Sequence, residues 1–270
     1  MADVGRRIAA YGHLVRAQTR SQAQYRASFA IDIAGSVGFG VLDIVTVLAL
    51  FRVARTLAGF AFAEVFLMTA LASAAFALAD LAVGNVERLR LYVRTGLLDA
   101  VLVRPLGSLA QLVAMDVAPR RLGRVAFAGG LIGVGVAQAD IAWTPARLAL
   151  LAVTPIAGAV IFGAVFVATA SVAFWWVESG ELGNSLTYGG RDFTAFPVTI
   201  YGALFRRLLA YGVGFAFVAY YPALALLGRA DPLGAPAVLG YASPLVAAGA
   251  AGAAALLWRT GVRHYRSTGS

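Results

Sequence analysis

The chain has 270 residues, of which 60% are apolar and 13% charged, and its formal charge of +9 comes from 22 arginines with no lysine. Soluble domains carry about 25% charged residues, so this composition, with a mean hydropathy of +0.79, excludes a water-soluble globular domain. An unpaired backbone group in a bilayer is costly, which leaves helices or a closed barrel, and the absence of alternating ten-residue segments excludes the barrel.

Residues 1–26 carry Ile8, Tyr11, Leu14 and Val15 at helical spacing against Arg6, Arg7, Arg16 and Arg20. That pattern predicts an amphipathic helix along the membrane surface. It is too long and too charged for a signal peptide, so the first span is expected to stay uncleaved. Apolar windows of spanning length then predict six transmembrane helices, at 27–51, 61–82, 122–139, 148–177, 208–228 and 236–258, and a tail over 259–270. The fold class is therefore all-α, a polytopic membrane protein with a transmembrane domain over 27–258. With the N-terminus inside, 18 arginines fall on the cytoplasmic side and 4 outside. The positive-inside rule then places both termini in the cytoplasm. The basicity is a topology signature, not a nucleic-acid footprint. The inner segments 83–121 and 178–207 are long and charged, whereas the outer loops 52–60, 140–147 and 229–235 are short. A cytoplasmic partner is expected at the inner segments.

Charges inside spans are costly and face a partner or a cavity. Asp32 and Asp43 lie eleven residues apart in the first span, about three turns, and so share one face. Two readings stand for Asp43: a polar contact in a substrate route, or an interhelical bond to a Ser, Thr or Tyr. Asp80 and Asp116, near inner ends, are expected to reach water. Pro155, Pro222 and Pro244 each remove a backbone donor and are expected to bend their spans, with Pro222, after Tyr220 and Tyr221, breaking the fifth near its outer end. Gly35, Gly38, Gly40, Gly249 and Gly252 suggest close helix contacts, and Trp175, Trp176 and Trp258 an interface belt. Glu178, Glu181, Arg191 and Asp192 mark 178–207 as a turn and interfacial helix, a possible second contact with a partner. No cysteine occurs, so thiolate and disulfide chemistry is excluded. The phosphate-loop, HExxH and GxSxG motifs are missing as well, and no enzyme activity is expected of the chain itself.

The stretch TGLLDAVLVRPLG, residues 95–107, predicts a two-turn amphipathic helix. Thr95 is placed to cap it and Asp99 to complement its dipole. Leu97, Leu98, Val101 and Leu102 form one apolar stripe, and Arg104 with Pro105 ends it. By physics alone this helix fits either a lipid surface or a groove in another protein.

Arg94, Gly96, Leu98, Asp99, Leu102, Arg104, Pro105 and Leu106 resemble the Arg-x-Gly-x-Leu-Asp-x-x-Leu-x-Arg-Pro-Leu pattern of ABC-2 type transporter permeases. The stretch from Tyr188 to Gly228, with Pro197, Pro222 and a closing Leu-Leu-Gly, looks like the same family's fifth-span region. The fuller likeness is to the family's branch of about 260 residues. The resemblance implies a six-span, type V exporter-like permease with no cofactor of its own, ATP and Mg being bound by a separate subunit. It implies a dimer with an identical or paralogous permease, two copies of an ABC ATPase subunit, and a place in the bacterial inner membrane. The short inner helix is then the coupling helix: Leu97, Leu98, Val101 and Leu102 anchor the ATPase groove, Arg94, Asp99 and Arg104 orient it, and Pro105 stiffens it. Asp32, Asp43, Tyr220, Tyr221 and Pro222 are candidates for the path of an exported amphipathic, drug-like or lipid-like compound. The alternatives are an autonomous ion-coupled transporter or channel, for which Asp32 and Asp43 would carry the ion, and a membrane-embedded lipid-modifying enzyme.

Overall fold

The computed structural model describes residues 26–114 and 120–266. The expected N-terminal surface helix, the side chain of Asp32 and all of Asp116 therefore lie outside the described residues. Apart from one isolated β-bridge between Leu57 and Phe60, the described regular structure is helical. It begins with α1 (Arg26–Val53) and α2 (Phe62–Val83). A run of short elements follows: a 3-10 turn (Gly84–Arg88), α3 (Leu89–Arg94), α4 (Leu97–Leu102) and α5 (Ser108–Ala114). Next come α6 (Arg120–Gln138), α7 (Pro145–Ser171) and α8 (Gly180–Thr194). Two helical pieces, α9 (Ala203–Gly212) and α10 (Phe215–Leu227), meet at a 66° bend, and α11 (Ser243–His264) closes the fold. Three of the described helices are long and apolar enough to cross a membrane, or four if the bent pair is one span.

Helix α2 is the hub. Its sequence is apolar all round, the mark of a helix surrounded by others, and fourteen of its residues between Val65 and Asp80 are buried. On one side it packs against α6, which carries α1; on the other it packs against α7, which carries α11. Helices α8 and α10 fill the space between α2 and α7. Phe76 of α2 meets Phe162 edge-on at 5.4 Å, and Phe162 meets Phe215 at 5.4 Å, so aromatic contacts tie α2, α7 and α10 together. Gly158 makes this approach possible. A methyl group there would fall 2.7 Å from Ala75 Cβ and 3.1 Å from Val218 Cγ1.

Several elements differ from the expectations above. The segment 178–207 contains α8, which climbs the bundle: the Thr69 hydroxyl of α2 donates to the Ala195 carbonyl at 2.9 Å, two turns in from the opposite end of α2. The expected fifth span, 208–228, is broken at Gly214, whose φ of +90 suits only glycine. Pro222 sits in the first regular turn of the helical stretch Tyr220–Leu227, so the break precedes it. Pro244 likewise lies in the first turn of α11, where a missing N–H costs nothing, and Pro155 alone is inside a helix. Gly35, Gly38, Gly249 and Gly252 face open space within the chain, while Gly40 meets the Phe127 ring. Trp175 and Trp176 are exposed as an interface belt requires, but Trp258 is buried against Phe174.

The Gly158 contact gives a direct check. Gly158→Ala should destabilise the purified protein by about 1–3 kcal/mol, the usual cost of overpacking, seen as a lower thermal midpoint in detergent. Gly249→Ala, facing open space, should not lower it.

Candidate functional site

The predicted amphipathic helix is present as α4, but its start and its face differ from expectation. Thr95 closes α3: its hydroxyl donates to the Leu91 carbonyl at 2.8 Å and its amide to the same oxygen at 3.0 Å. Gly96, at φ +70, then reverses the chain and stands at the cap position of α4. A side chain with Cβ is strained at that φ, which is why the cap is glycine. Asp99 lies in the first turn, as expected from the dipole.

The four-residue stripe divides. Leu98 and Val101 are buried in the chain's own core, whereas Leu97 is 52% and Leu102 37% exposed. Val103, not singled out from the sequence, is 86% exposed. The face available to another molecule is therefore Leu97, Leu102 and Val103, with Arg104 and Pro105 exposed beside them. Leu98 and Val101 hold the helix to its own protein, which corrects their expected place in a partner's groove.

A helix this short has no stability of its own, and tertiary contacts brace it. The buried Gln111 amide donates from Nε2 to the carbonyls of Val101 (3.1 Å) and Leu106 (2.8 Å), pinning the end of α4 and the turn after it. Asn85 Nδ2 donates to the Leu112 carbonyl at 2.6 Å and fixes α5 to the end of α2. Trp258 Nε1 of α11 donates to Ser108 Oγ at 3.2 Å. Burial first, and then the carboxylate of Asp99 beside it, push the Tyr265 phenol above its ordinary pKa. The end of α11 thus touches both α4 and α5. On the other flank Arg94 pairs with Glu178 at 3.4 Å, an exposed pair of little energetic weight. It borders a cleft of about 620 Å³ that Arg88 and Arg90 also line.

A second polar region lies inside the bundle. Asp43 of α1 forms an ion pair with Arg191 of α8. The guanidinium also lies 5.6 Å from the centre of the Phe76 ring. The interhelical reading of Asp43 is the one with a partner in hand, but that partner is an arginine and not a Ser, Thr or Tyr. Asp80, expected to reach water, is buried. Its carboxylate takes Arg124 at 2.8 Å and Arg121 at 3.3 Å, and Arg121 also donates to the Asp80 carbonyl. Both arginines flank the start of the expected third span. A cavity of about 250 Å³ between α1, α2, α6 and α8 is lined by Asp43, Arg191, Arg124, Tyr188 and Ser73.

Tyr220, Tyr221 and Pro222 belong to a different place. All three are buried in α10. The Tyr220 hydroxyl donates to Asp231 Oδ1 at 2.6 Å, and Asp231 accepts the amides of Leu233 and Ala235 at 3.2 Å each. Tyr221 meets the Tyr211 hydroxyl at 3.3 Å. Arg229, just past α10, stacks 4.0 Å over Phe60 and pairs with Glu64 at 2.5 Å. These contacts fasten the 229–235 loop to the first turn of α2. The structure does not bring the tyrosines and Asp43 into one cavity.

Gln111, Asn85, Tyr265 and the Glu64–Arg229 pair were not singled out from the sequence. The available signal was a lone amide in an apolar stretch, as in SLAQLVA around Gln111.

A hub helix buried among apolar helices, internal charges paired in place and three or four helices long and apolar enough to cross a bilayer describe a polytopic helical membrane protein. Residues 38–269 match the family model described as ABC-2 family transporter protein, and the chain belongs to that family. ABC-2 permeases are membrane components of ABC transporters and generally partner with ATPase subunits. No curated protein and no solved structure matches the chain.

The Asp43–Arg191 pair predicts a strong non-additivity. Asp43→Asn or Arg191→Gln alone leaves an uncompensated charge, and with both side chains about a quarter exposed the cost should fall below the roughly 3–5 kcal/mol of a fully buried pair. The double variant should recover much of that loss. A double-mutant cycle on unfolding midpoints in detergent measures it.

Proposed function

We propose that the chain is the permease subunit of an ATP-driven exporter, moving an amphipathic compound out of the cytoplasm or inner leaflet. Two ABC ATPase subunits would supply the energy and hold ATP and magnesium, and a second permease, identical or paralogous, would complete the membrane unit in a bacterial inner membrane. The observation that carries this reading is the state of α4. It presents Leu97, Leu102 and Val103 outward while Gln111, Leu98 and Val101 fasten it to the bundle. A helix that must transmit force needs an adhesive outer face and a rigid mount, and α4 has both.

The packing supports a revised topology of six crossings. Helix α8 becomes the fifth: it starts beside Arg90, whose guanidinium lies over Gly180, and ends at Thr69. Its fifteen residues rise about 22 Å, and the turn to Tyr201 extends it. The chain from Ala195 to Gly228 then starts and ends in the outer half, because Gly228 meets the Arg147 side chain of the 140–147 loop region. The bent pair α9–α10 is thus a re-entrant element entering from outside. Both termini remain cytoplasmic: this topology takes Arg191 into a span and Arg206 and Arg207 to the outer side, which leaves 15 arginines inside against 6 outside. The ion-carrier reading is weakened, since Asp43 already has an arginine as its counter-ion.

Co-purification from native membranes tests the coupling role. The wild-type chain should bring down an ATP-binding subunit in near-stoichiometric amount. Leu102→Glu with Val103→Glu should lose it while keeping the same thermal midpoint and elution profile, because both side chains are exposed. Retention of the partner by this double variant would sink the assignment of α4 as the coupling helix.

A further inference from the structure

The geometry points to the cavity between α1, α2, α6 and α8 as the binding site for the anionic headgroup of the transported amphiphile, a phosphate or a carboxylate held by Arg124 and Arg191. This deepens the export reading and rests on it.

Size sets the first limit. Pockets for drug-sized ligands run to roughly 300–1,000 Å³, and this cavity holds about 250 Å³. A headgroup fits, and the rest of the molecule must lie outside it. The non-polar lining suits the start of an apolar body: Phe76, Phe127 and Leu131 sit among the charges, and Val41, Leu42 and Val45 of the neighbouring α1 are exposed.

Polarity sets the second. Arg124, Arg191, Tyr188 and Ser73 line the space, against one carboxylate, Asp43, and the Tyr188 hydroxyl also donates to Glu87 Oε2 at 3.4 Å. Arginine carries five N–H donors, and among the described residues the carboxylate contacts engage one terminal nitrogen on each: Arg124 Nη1 to Asp80, and Arg191 Nη2 to Asp43. Donors are left over for a ligand rich in acceptors. A cationic ligand would find only Asp43, already engaged. Asp80, behind Arg124 and shared with Arg121, and Asp192, whose charge is felt at Asp43, stand outside the lining of the cavity.

Exposure sets the third. The side chains of Arg191 and Asp43 are 23% and 27% exposed and that of Arg124 is 33% exposed, although all three stand within the helical bundle. Charges at such depth face a polar space and not lipid. The space they line is this cavity.

Binding can be read without the ATPase. The purified permease in phosphatidylcholine nanodiscs would be titrated with dodecyl phosphate, inorganic phosphate and dodecyltrimethylammonium, with the thermal midpoint as readout. Dodecyl phosphate should raise the midpoint saturably. Arg124→Gln should weaken its apparent affinity at least tenfold, with Asp80 still paired to Arg121. The Asp43→Asn, Arg191→Gln double variant, which leaves no lone charge, should do the same. Tyr188→Phe, a milder change, should weaken it several-fold. A matching response to inorganic phosphate would assign the same donors to a free anion and not to an amphiphile's headgroup. An equal response to dodecyltrimethylammonium, or an unchanged titration in Arg124→Gln and the double variant, overturns the proposal. Binding that persists while the ATPase fails to co-purify would remove the export reading and leave the anion site standing.

Discussion

Every charge carried into an apolar helical bundle has to be neutralised inside it, and this constraint organises the whole molecule. A lone buried ion costs several kcal/mol after relaxation, so a carboxylate on one helix dictates where an arginine on another must come to rest. Glu64 with Arg229, Asp43 with Arg191 and Asp80 with Arg121 and Arg124 are three such points. They fasten the loop after α10 to the start of α2, α1 to α8, and the end of α2 to α6. Two of the three involve the hub helix at opposite ends. The apolar contacts between them set the stability, while the ion pairs select one arrangement of helices.

Rigidity at one end of the bundle follows from a different device. The short helix α4 is too small to hold its own shape, so buried amides brace it: Gln111 grips the carbonyls of Val101 and Leu106, and Asn85 anchors the neighbouring α5 at Leu112. Through Trp258 and Tyr265 the end of α11 touches the same segment. A push on α4 would therefore reach the last helix directly, as well as α2 through the 3-10 turn. At the other end, the Tyr220–Asp231 and Arg229–Glu64 contacts hold α10 and its loop closed against α2. On the export reading proposed above, the contacts at this end would have to give way when those around α4 are driven. The bend at Gly214 supplies a backbone position where that movement can be absorbed.

Much of the helical layout was legible because its signals are local. The apolar runs predicted helices near α1, α2, α6, α7 and α11, and the Thr-Gly-Leu-Leu-Asp stretch predicted α4 from periodicity and turn chemistry. The fifth element was the hardest to read. The stretch 208–228 is the more apolar one but is broken at Gly214, and α8, rich in glycine and polar residues, packs against α2 and α7, a placement that hydropathy does not signal. Helix α8 tolerates Arg191 because Asp43 and the Phe76 ring receive it, and the Thr69 hydroxyl ties down its end through the Ala195 carbonyl. Hydropathy read along one strand of text has no access to partners supplied by other helices.

The same distinction separates the two halves of the candidate site. Sequence alone determined that the chain is a helical membrane protein and that a short amphipathic helix follows the second span, because composition, periodicity and charge asymmetry are sums over neighbouring residues. Only the tertiary structure decided which leucines of that helix face outward, that Asp43 and Arg191 meet across 148 positions of sequence, and that Tyr220 belongs to a loop clasp and not to the Asp43 cavity. Those outcomes depend on which side of each helix its neighbours occupy. That is a property of packing, and no local pattern in the chain encodes it.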